Sequence, residues 1–148
     1  MLRIIIIISS ILFFERYSFS QDEYYLTLRY DKVNLRQGPS HKYPVKIFYK
    51  KKFLPVLVQD KSDNFRKIRD HENNSGWIHI SQLSKKKAAI VIDEKLIMFK
   101  NPSIFSKPIV ILNRGRLAKI LKCKGQWCKA KLNKYKGWLK KDGLWGRL

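Results

Sequence analysis

The sequence predicts an all-β chain built as two small barrels in tandem. Three observations lead there. Residues 65–83 (FRKIRDHENNSGWIHISQL) and 127–144 (WCKAKLNKYKGWLKKDGL) share one plan: an aromatic residue, a short alternating run, a polar turn and a restart at Gly-Trp. The echo continues upstream, where Asn34-Leu35-Arg36-Gln37-Gly38-Pro39-Ser40 is answered by Ile97-Met98-Phe99-Lys100-Asn101-Pro102-Ser103, and Lys52-Phe53-Leu54 by Arg116-Leu117-Ala118. The period is about 60 residues, and a repeat constrains the architecture before any element is assigned. Finally, no helical period persists over a useful length, while short apolar runs between turn residues recur throughout.

Residues 1–20 stand apart from the repeat. Arg3 supplies a positive start, residues 4–14 are apolar apart from Ser9 and Ser10, and Ser18-Phe19-Ser20 offers small residues where a signal peptidase reads. This pattern predicts a secretory leader cut after Ser20, with an uncleaved anchor as the alternative. The run falls short of the about 20 apolar residues of a membrane span, and Glu15-Arg16 closes it. The rest of the chain divides into a first barrel over 21–84 and a second over 85–148.

In the first barrel, residues 24–33 read as an entering strand. Gly38-Pro39 and Pro44 then force a long excursion over 34–44. Strands are expected over 45–49 and 53–59, with Pro55 marking an edge or a bulge. Turn composition follows at 60–64, a strand with Phe65 inward at 65–69, another turn at 70–75, and a closing strand at 77–80. Five short strands with one long loop make a small barrel. In the second barrel the corresponding strands are 88–92, 96–100 and 109–112, with the loop at 101–108 and a turn at 113–115. Residues 117–124 and 127–132 form a hairpin about Gly125-Gln126, where Gly first suits a type II′ turn. Runs at 137–139 and 144–146 finish the chain. Lys85-Lys86-Lys87 at the junction provides no Gly or Pro for a flexible linker, so the barrels are expected to pack together.

That hairpin carries the two cysteines of the chain. With Gly125 and Gln126 as the loop, Lys124 pairs with Trp127 in a hydrogen-bonded site, which puts Cys123 directly opposite Cys128 in the closer, non-hydrogen-bonded one. The expected Cα separation of ~4.5 Å lies within disulfide range. In an exported chain the two should bridge.

Asn34-Leu35-Arg36-Gln37-Gly38-Pro39-Ser40, then Tyr43-Pro44-Val45, then Gly76-Trp77-Ile78 and Leu83, resembles the bacterial Src-homology-3-like (SH3-like) domain family. Cys123, Gly125, Gln126, Trp127 and Cys128, followed by Gly137-Trp138 and Leu144-Trp145-Gly146, is similar to an extracytoplasmic branch of it that ends in Leu-Trp-Gly. The resemblance implies tandem SH3-like barrels, a periplasmic or secreted location, and a groove beside the long loop. Tyr30, Tyr43, Phe48 and Tyr49 flank that loop in the first repeat; with Arg36 and His41 they make the expected contact set, centred on Arg36, His41, Tyr43 and Tyr49. The second repeat departs from the pattern, since Phe99-Lys100-Asn101-Pro102 lacks the Arg-x-Gly-Pro of the first, so its loop is not expected to make the same contacts. The acidic aromatic run of eukaryotic proline-peptide readers is also missing.

Charge is the other functional pointer. Lys and Arg number 32 against 11 Asp and Glu, a net of +21, which argues for a polyanionic partner and says nothing about fold. Residues 21–84 hold 12 basic and 7 acidic side chains, residues 85–148 hold 18 and 3, so the second repeat carries most of the excess. Lys122, Lys124, Lys129, Lys131, Lys134 and Lys136 lie close enough along the hairpin to sum their fields. No catalytic constellation accompanies them. His71-Glu72 lacks the second histidine of a zinc helix, and a disulfide-bonded Cys128 has no thiolate with which to attack. Neither cofactor nor metal is expected. Trp77, Trp127 and Trp138 are assigned to the core. The expectation is a non-enzymatic cell-envelope module that recognises peptidoglycan or an envelope protein through the first loop, with the basic second barrel drawn to an anionic surface, membranes included. The alternatives are a nucleic-acid-binding protein, if the N-terminus is not a leader, and an interaction adaptor within an envelope complex.

Overall fold

The computed structural model describes residues 22–148; the expected leader over 1–20 lies outside them. The first repeat contributes seven strands: β1 (Tyr24–Leu28), β2 (Val33–Arg36), β3 (Val45–Tyr49), β4 (Pro55–Ser62), β5 (Phe65–Arg69), β6 (Ser75–His79) and β7 (Leu83–Ser84). The second contributes β8 (Ala88–Val91), β9 (Lys95–Phe99), β10 (Pro108–Asn113), β11 (Leu117–Lys124), β12 (Trp127–Leu132), β13 (Tyr135–Lys140) and β14 (Leu144–Arg147). Two antiparallel sheets result, ordered β3-β2-β6-β5-β4-β1-β7 and β10-β9-β13-β12-β11-β8-β14. The two orders are identical once each strand is matched to its counterpart. A single 3-10 turn precedes the last strand in both, at Ile80–Gln82 and Lys141–Gly143. Among the described residues no helix is long and apolar enough to cross a membrane.

Local chemistry accounts for most of the boundaries. The entering run of residues 24–33 is two strands, because residues 29–32 turn and Asn34 to Arg36 pairs with β3 instead of opening the loop. Pro55 sits at the first residue of β4, where a missing N–H is tolerated; the irregularity falls later, between Val58 and Asp60. Asp63 takes a left-handed φ of 47°, which confines the β4–β5 turn to residues 63–64 and lets β4 run on to Ser62. Each sheet closes on an aliphatic core. The first holds Leu28, Val33, Leu35, Val56, Val58, Ile68, Ile78 and Leu83; the second holds Val91, Met98, Ala118, Cys128, Ala130 and Leu139. Strand alternation decides who enters. In β6 the buried positions are Gly76 and Ile78, so Trp77 points to the other face and is only half-buried. Trp127 is likewise half-buried, and of the three tryptophans expected in the core Trp138 alone is buried.

The β11–β12 hairpin has the expected register, Lys124 opposite Trp127 and Cys123 opposite Cys128. Gly125 takes φ 56°, as the first position of a type II′ turn requires. The cysteines are bonded, with a Cα separation of 4.0 Å. Cys128 is fully buried and Cys123 packs against the same cluster, so the bridge pins the hairpin to the core. Replacing both by Ala should lower the unfolding free energy by about 2 kcal/mol on the chain-entropy estimate for so short a ring. A urea midpoint unchanged from the parent would refute this.

The repeats also share an interface. Ile90 of β8 belongs to the first core, and Leu117 of β11 packs on it. Arg147 of β14 reaches back across the chain: its Nη1 donates to the Tyr25 carbonyl at 2.7 Å and its Nε to the Lys85 carbonyl at 2.9 Å. Trp145 meets Tyr25 edge-on, with ring centroids 5.0 Å apart.

Candidate binding surfaces

The long loops at residues 37–44 and 100–107 are built alike. In the first, Gln37 N–H donates to the Pro44 carbonyl, Ser40 N–H to Gly38 and Tyr43 N–H to Ser40. In the second, Lys100 N–H donates to Lys107, Ser103 N–H to Asn101 and Ser106 N–H to Ser103. Lys42 N–H and Phe105 N–H each find the serine Oγ two residues back, both at 3.2 Å. One backbone therefore carries two different sets of side chains.

In the first loop Arg36 acts as a brace. Its Nη1 donates to the carbonyls of Tyr43 at 2.9 Å and His41 at 3.2 Å, so the guanidinium holds the loop in shape. Gly38 is buried because the Tyr43 ring covers it; a Cβ there would stand 2.5 Å from that ring. Beyond the brace, His41 stacks on His79 with centroids 5.2 Å apart, and both rings meet Phe65 edge-on at 5.2 and 5.1 Å. His79 Nδ1 faces Ser81 Oγ at 2.7 Å. The register explains the grouping. Phe65 pairs with His79, Lys67 with Trp77 and Trp77 with Arg36, so all five share the outer face of the sheet. Phe65 is buried, but beneath the two imidazoles and on the face opposite Ile68.

Tyr49 does not join this surface. It is 9% exposed, lies in the first core, and its hydroxyl donates to Asp70 Oδ2 at 2.8 Å. Burial, and after it the hydrogen bond to Asp70, pushes its phenol well above the ordinary tyrosine range. The correction has a simple cause: Tyr49 pairs with Val33, an inward position of β2. Phe48, one residue earlier, is outward and 66% exposed, as are Tyr30 and Tyr43 at 53% and 47%. The patch thus comprises His41, Tyr43 and the brace Arg36, with Phe65, Trp77 and His79 added. Reading β5 against β6 in antiparallel register would have found the last three.

Five of the six expected lysines lie together on the second sheet. Lys122 and Lys124 of β11, Lys129 and Lys131 of β12 and Lys136 of β13 alternate with the buried Cys128, Ala130 and Leu132, which places them outward. Lys134 sits in the β12–β13 turn instead. Lys119 and Lys140 complete the face and were not anticipated. Rows of like charge result: Lys119 opposite Lys131, Lys131 opposite Lys136, Lys122 opposite Lys129. Directly opposed like charges destabilise a sheet. Two tryptophans temper the field, with Lys122 Nζ 5.8 Å from the Trp138 ring and Lys140 Nζ 6.0 Å from Trp127. The face runs into a cleft of about 450 Å³ between the repeats, lined by Lys51, Phe53, Arg116, Lys119 and Lys131 among others. Lys119 Nζ stands 4.7 Å from the Phe53 ring.

Among the described residues, no cluster of three or more His, Cys, Asp or Glu is arranged to hold a metal ion. The family model described as bacterial SH3 domain matches residues 29–85 and 93–146. No curated protein matches the chain. Similar solved structures include NlpC2 from Trichomonas vaginalis, at 14% identity and a TM-score of 0.39, covering 86% of this chain and 49% of that one. Another is an NlpC/P60 family protein from Bacillus cereus, at 14% identity and a TM-score of 0.38, covering 82% and 56%. The chain spans about half the length of these structures.

Proposed function

The chain belongs to the bacterial SH3 domain family, and from that membership we propose that it is a non-enzymatic module that binds the bacterial cell wall. The first repeat's patch is the recognition site for peptidoglycan or an envelope protein. Exposed faces of Tyr43, His41 and Trp77 suit stacking on sugar rings or peptide, and the imidazoles add hydrogen-bonding edges. Arg36 serves by holding the loop carbonyls. The second repeat supplies attraction to an anionic envelope surface through its lysine rows. What carries the electrostatic part is the pairing of lysine with lysine across β11, β12 and β13. Such rows cost stability in isolation, and a polyanion laid over them removes the cost. An extracytoplasmic setting accords with the Cys123–Cys128 disulfide, since such bridges persist in oxidising compartments. The same bridge weighs against a cytoplasmic nucleic-acid binder.

The test is retention on purified sacculi across a salt series. Lys129, Lys131, Lys134 and Lys136, all changed to Gln, should lose most of the salt-sensitive retention, a drop of at least about tenfold at low ionic strength. His41→Ala with Tyr43→Ala should instead lower the salt-resistant part. Retention that ignores both sets of changes would sink the proposal.

A further inference from the structure

We infer that the β9–β10 hairpin of the second repeat docks on an anionic lipid bilayer, with Ile104 and Phe105 entering the acyl boundary. The inference rests on the reading of the lysine face as anion-seeking and adds which anion it meets; it is independent of wall recognition by the first repeat.

Phe105 is 93% exposed and Ile104 55%, at the tip of the loop joining β9 to β10. Behind them Ile97 and Ile111 stand directly opposite one another, 40% and 57% exposed. The fold does not demand an apolar tip. The matching loop of the first repeat makes the same backbone hydrogen bonds with His41 and Lys42 in the places of Ile104 and Phe105. Nor does the core need the two isoleucines, because Leu96, Met98 and Leu112 already fill the inward positions of the hairpin. Large apolar side chains exposed at the tip and on the strands behind it, serving neither loop nor core, mark an interaction site.

Charge identifies the partner. Lys100 and Lys107 bracket the tip, and from Lys95 to Lys141 the sequence contains no Asp or Glu. The outer face passes from the isoleucines through Phe99, which meets the Trp127 ring at 5.7 Å, to the lysine rows of β11 and β12. Apolar tip, aromatic middle and cationic flank is the sequence of environments crossed between acyl chains, interface and headgroup phosphates. A soluble polyanion would use the lysines and leave Phe105 in water.

The experiment uses the full chain as recovered from the expressing cells. Phe105→Cys carries an environment-sensitive fluorophore, and Lys42→Cys, labelled the same way, reports the matching position of the first repeat. Vesicles of phosphatidylglycerol and phosphatidylcholine should shift the label at 105 to the blue and leave the label at 42 in water; phosphatidylcholine alone should do neither. Ile104→Ser with Phe105→Ser should weaken vesicle binding at least about tenfold and leave retention on a polyphosphate resin unchanged. An unshifted label at 105 on vesicle-bound protein, or a serine variant that binds vesicles as tightly as the parent, overturns the inference while polyphosphate retention keeps the anion reading intact. Loss of both vesicle and polyphosphate binding by the parent overturns the two together.

Discussion

Asp70→Ala should lower the unfolding free energy of the first repeat by about 3 kcal/mol or more. Asp70 is 3% exposed, and its carboxylate accepts four hydrogen bonds: from the Tyr49 hydroxyl, the N–H groups of Glu72 and Asn74, and the Asn74 side-chain amide. Removing it strands a buried phenol and two turn amides at once. Leaving a buried donor without a partner costs more than the bond itself contributed. The second repeat shows the other solution. There the corresponding residues are Leu112 and Leu132, both buried in the second core. Changing Tyr49 and Asp70 together to Leu should therefore recover part of the loss, though not the turn, which Asp70 also caps. Urea denaturation of the parent, the single and the double variant decides it; equal stability of Asp70→Ala and the parent would show that the network contributes nothing.

Gly137→Ala should cost about 3 kcal/mol, and Gly76→Ala about as much, at the upper end of what overpacking inflicts. A Cβ on Gly137 would lie 2.6 Å from the Phe99 carbonyl oxygen and 2.7 Å from Met98 Cγ; on Gly76 it would lie 2.7 Å from both the Arg36 carbonyl oxygen and Leu35 Cγ. Backbone is in the way, and backbone of a paired strand does not yield cheaply. This is the physical content of the repeated Gly-Trp: β6 crosses β2, and β13 crosses β9, too closely for a side chain. Gly125→Ala provides the contrast. Nothing lies within 4 Å of its Cβ, so only the strain of φ 56° remains, about 1 kcal/mol. Thermal melts of the three variants should separate the tight pair from the open turn; a Gly125 variant as damaged as Gly137→Ala would remove the crowding argument.

The repeat itself was the most legible feature, and it carried the placement of most strands and of the long loops with it. The cysteine pairing followed because a two-residue turn leaves one register open. Face assignment was harder to read. Alternation says that Trp77 and Ile78 point opposite ways but not which way is in, and bulk suggested the tryptophan. The core is aliphatic instead, and the indole lies over the sheet beside Arg36. Tyr49 misled in the opposite sense: its place beside the long loop suggested a surface, yet it points inward and Asp70, distant in sequence, satisfies its hydroxyl there. β7 escaped notice because Leu83–Ser84 is too short to show a period. His79 and Phe65 reach the patch only through the β5–β6 pairing. Phe105 lies in a stretch whose composition is that of an ordinary loop, and nothing in the sequence marks its exposure.

The seam between the repeats has a consequence for how the protein would engage a surface. Ile90 completes the neighbouring core, and Arg147 grips the backbone at Tyr25 and Lys85, so the two faces, if they bind as proposed, would do so at a spacing set by these contacts. On that proposal, engaging one face would confine the search of the other, and avidity gains on the order of 10²–10⁴-fold would become available without any new contact. The same contacts would make the gain conditional on spacing. A flexible insert at residues 85–87 would trade that selectivity for reach, holding on to lattices the native molecule passes over.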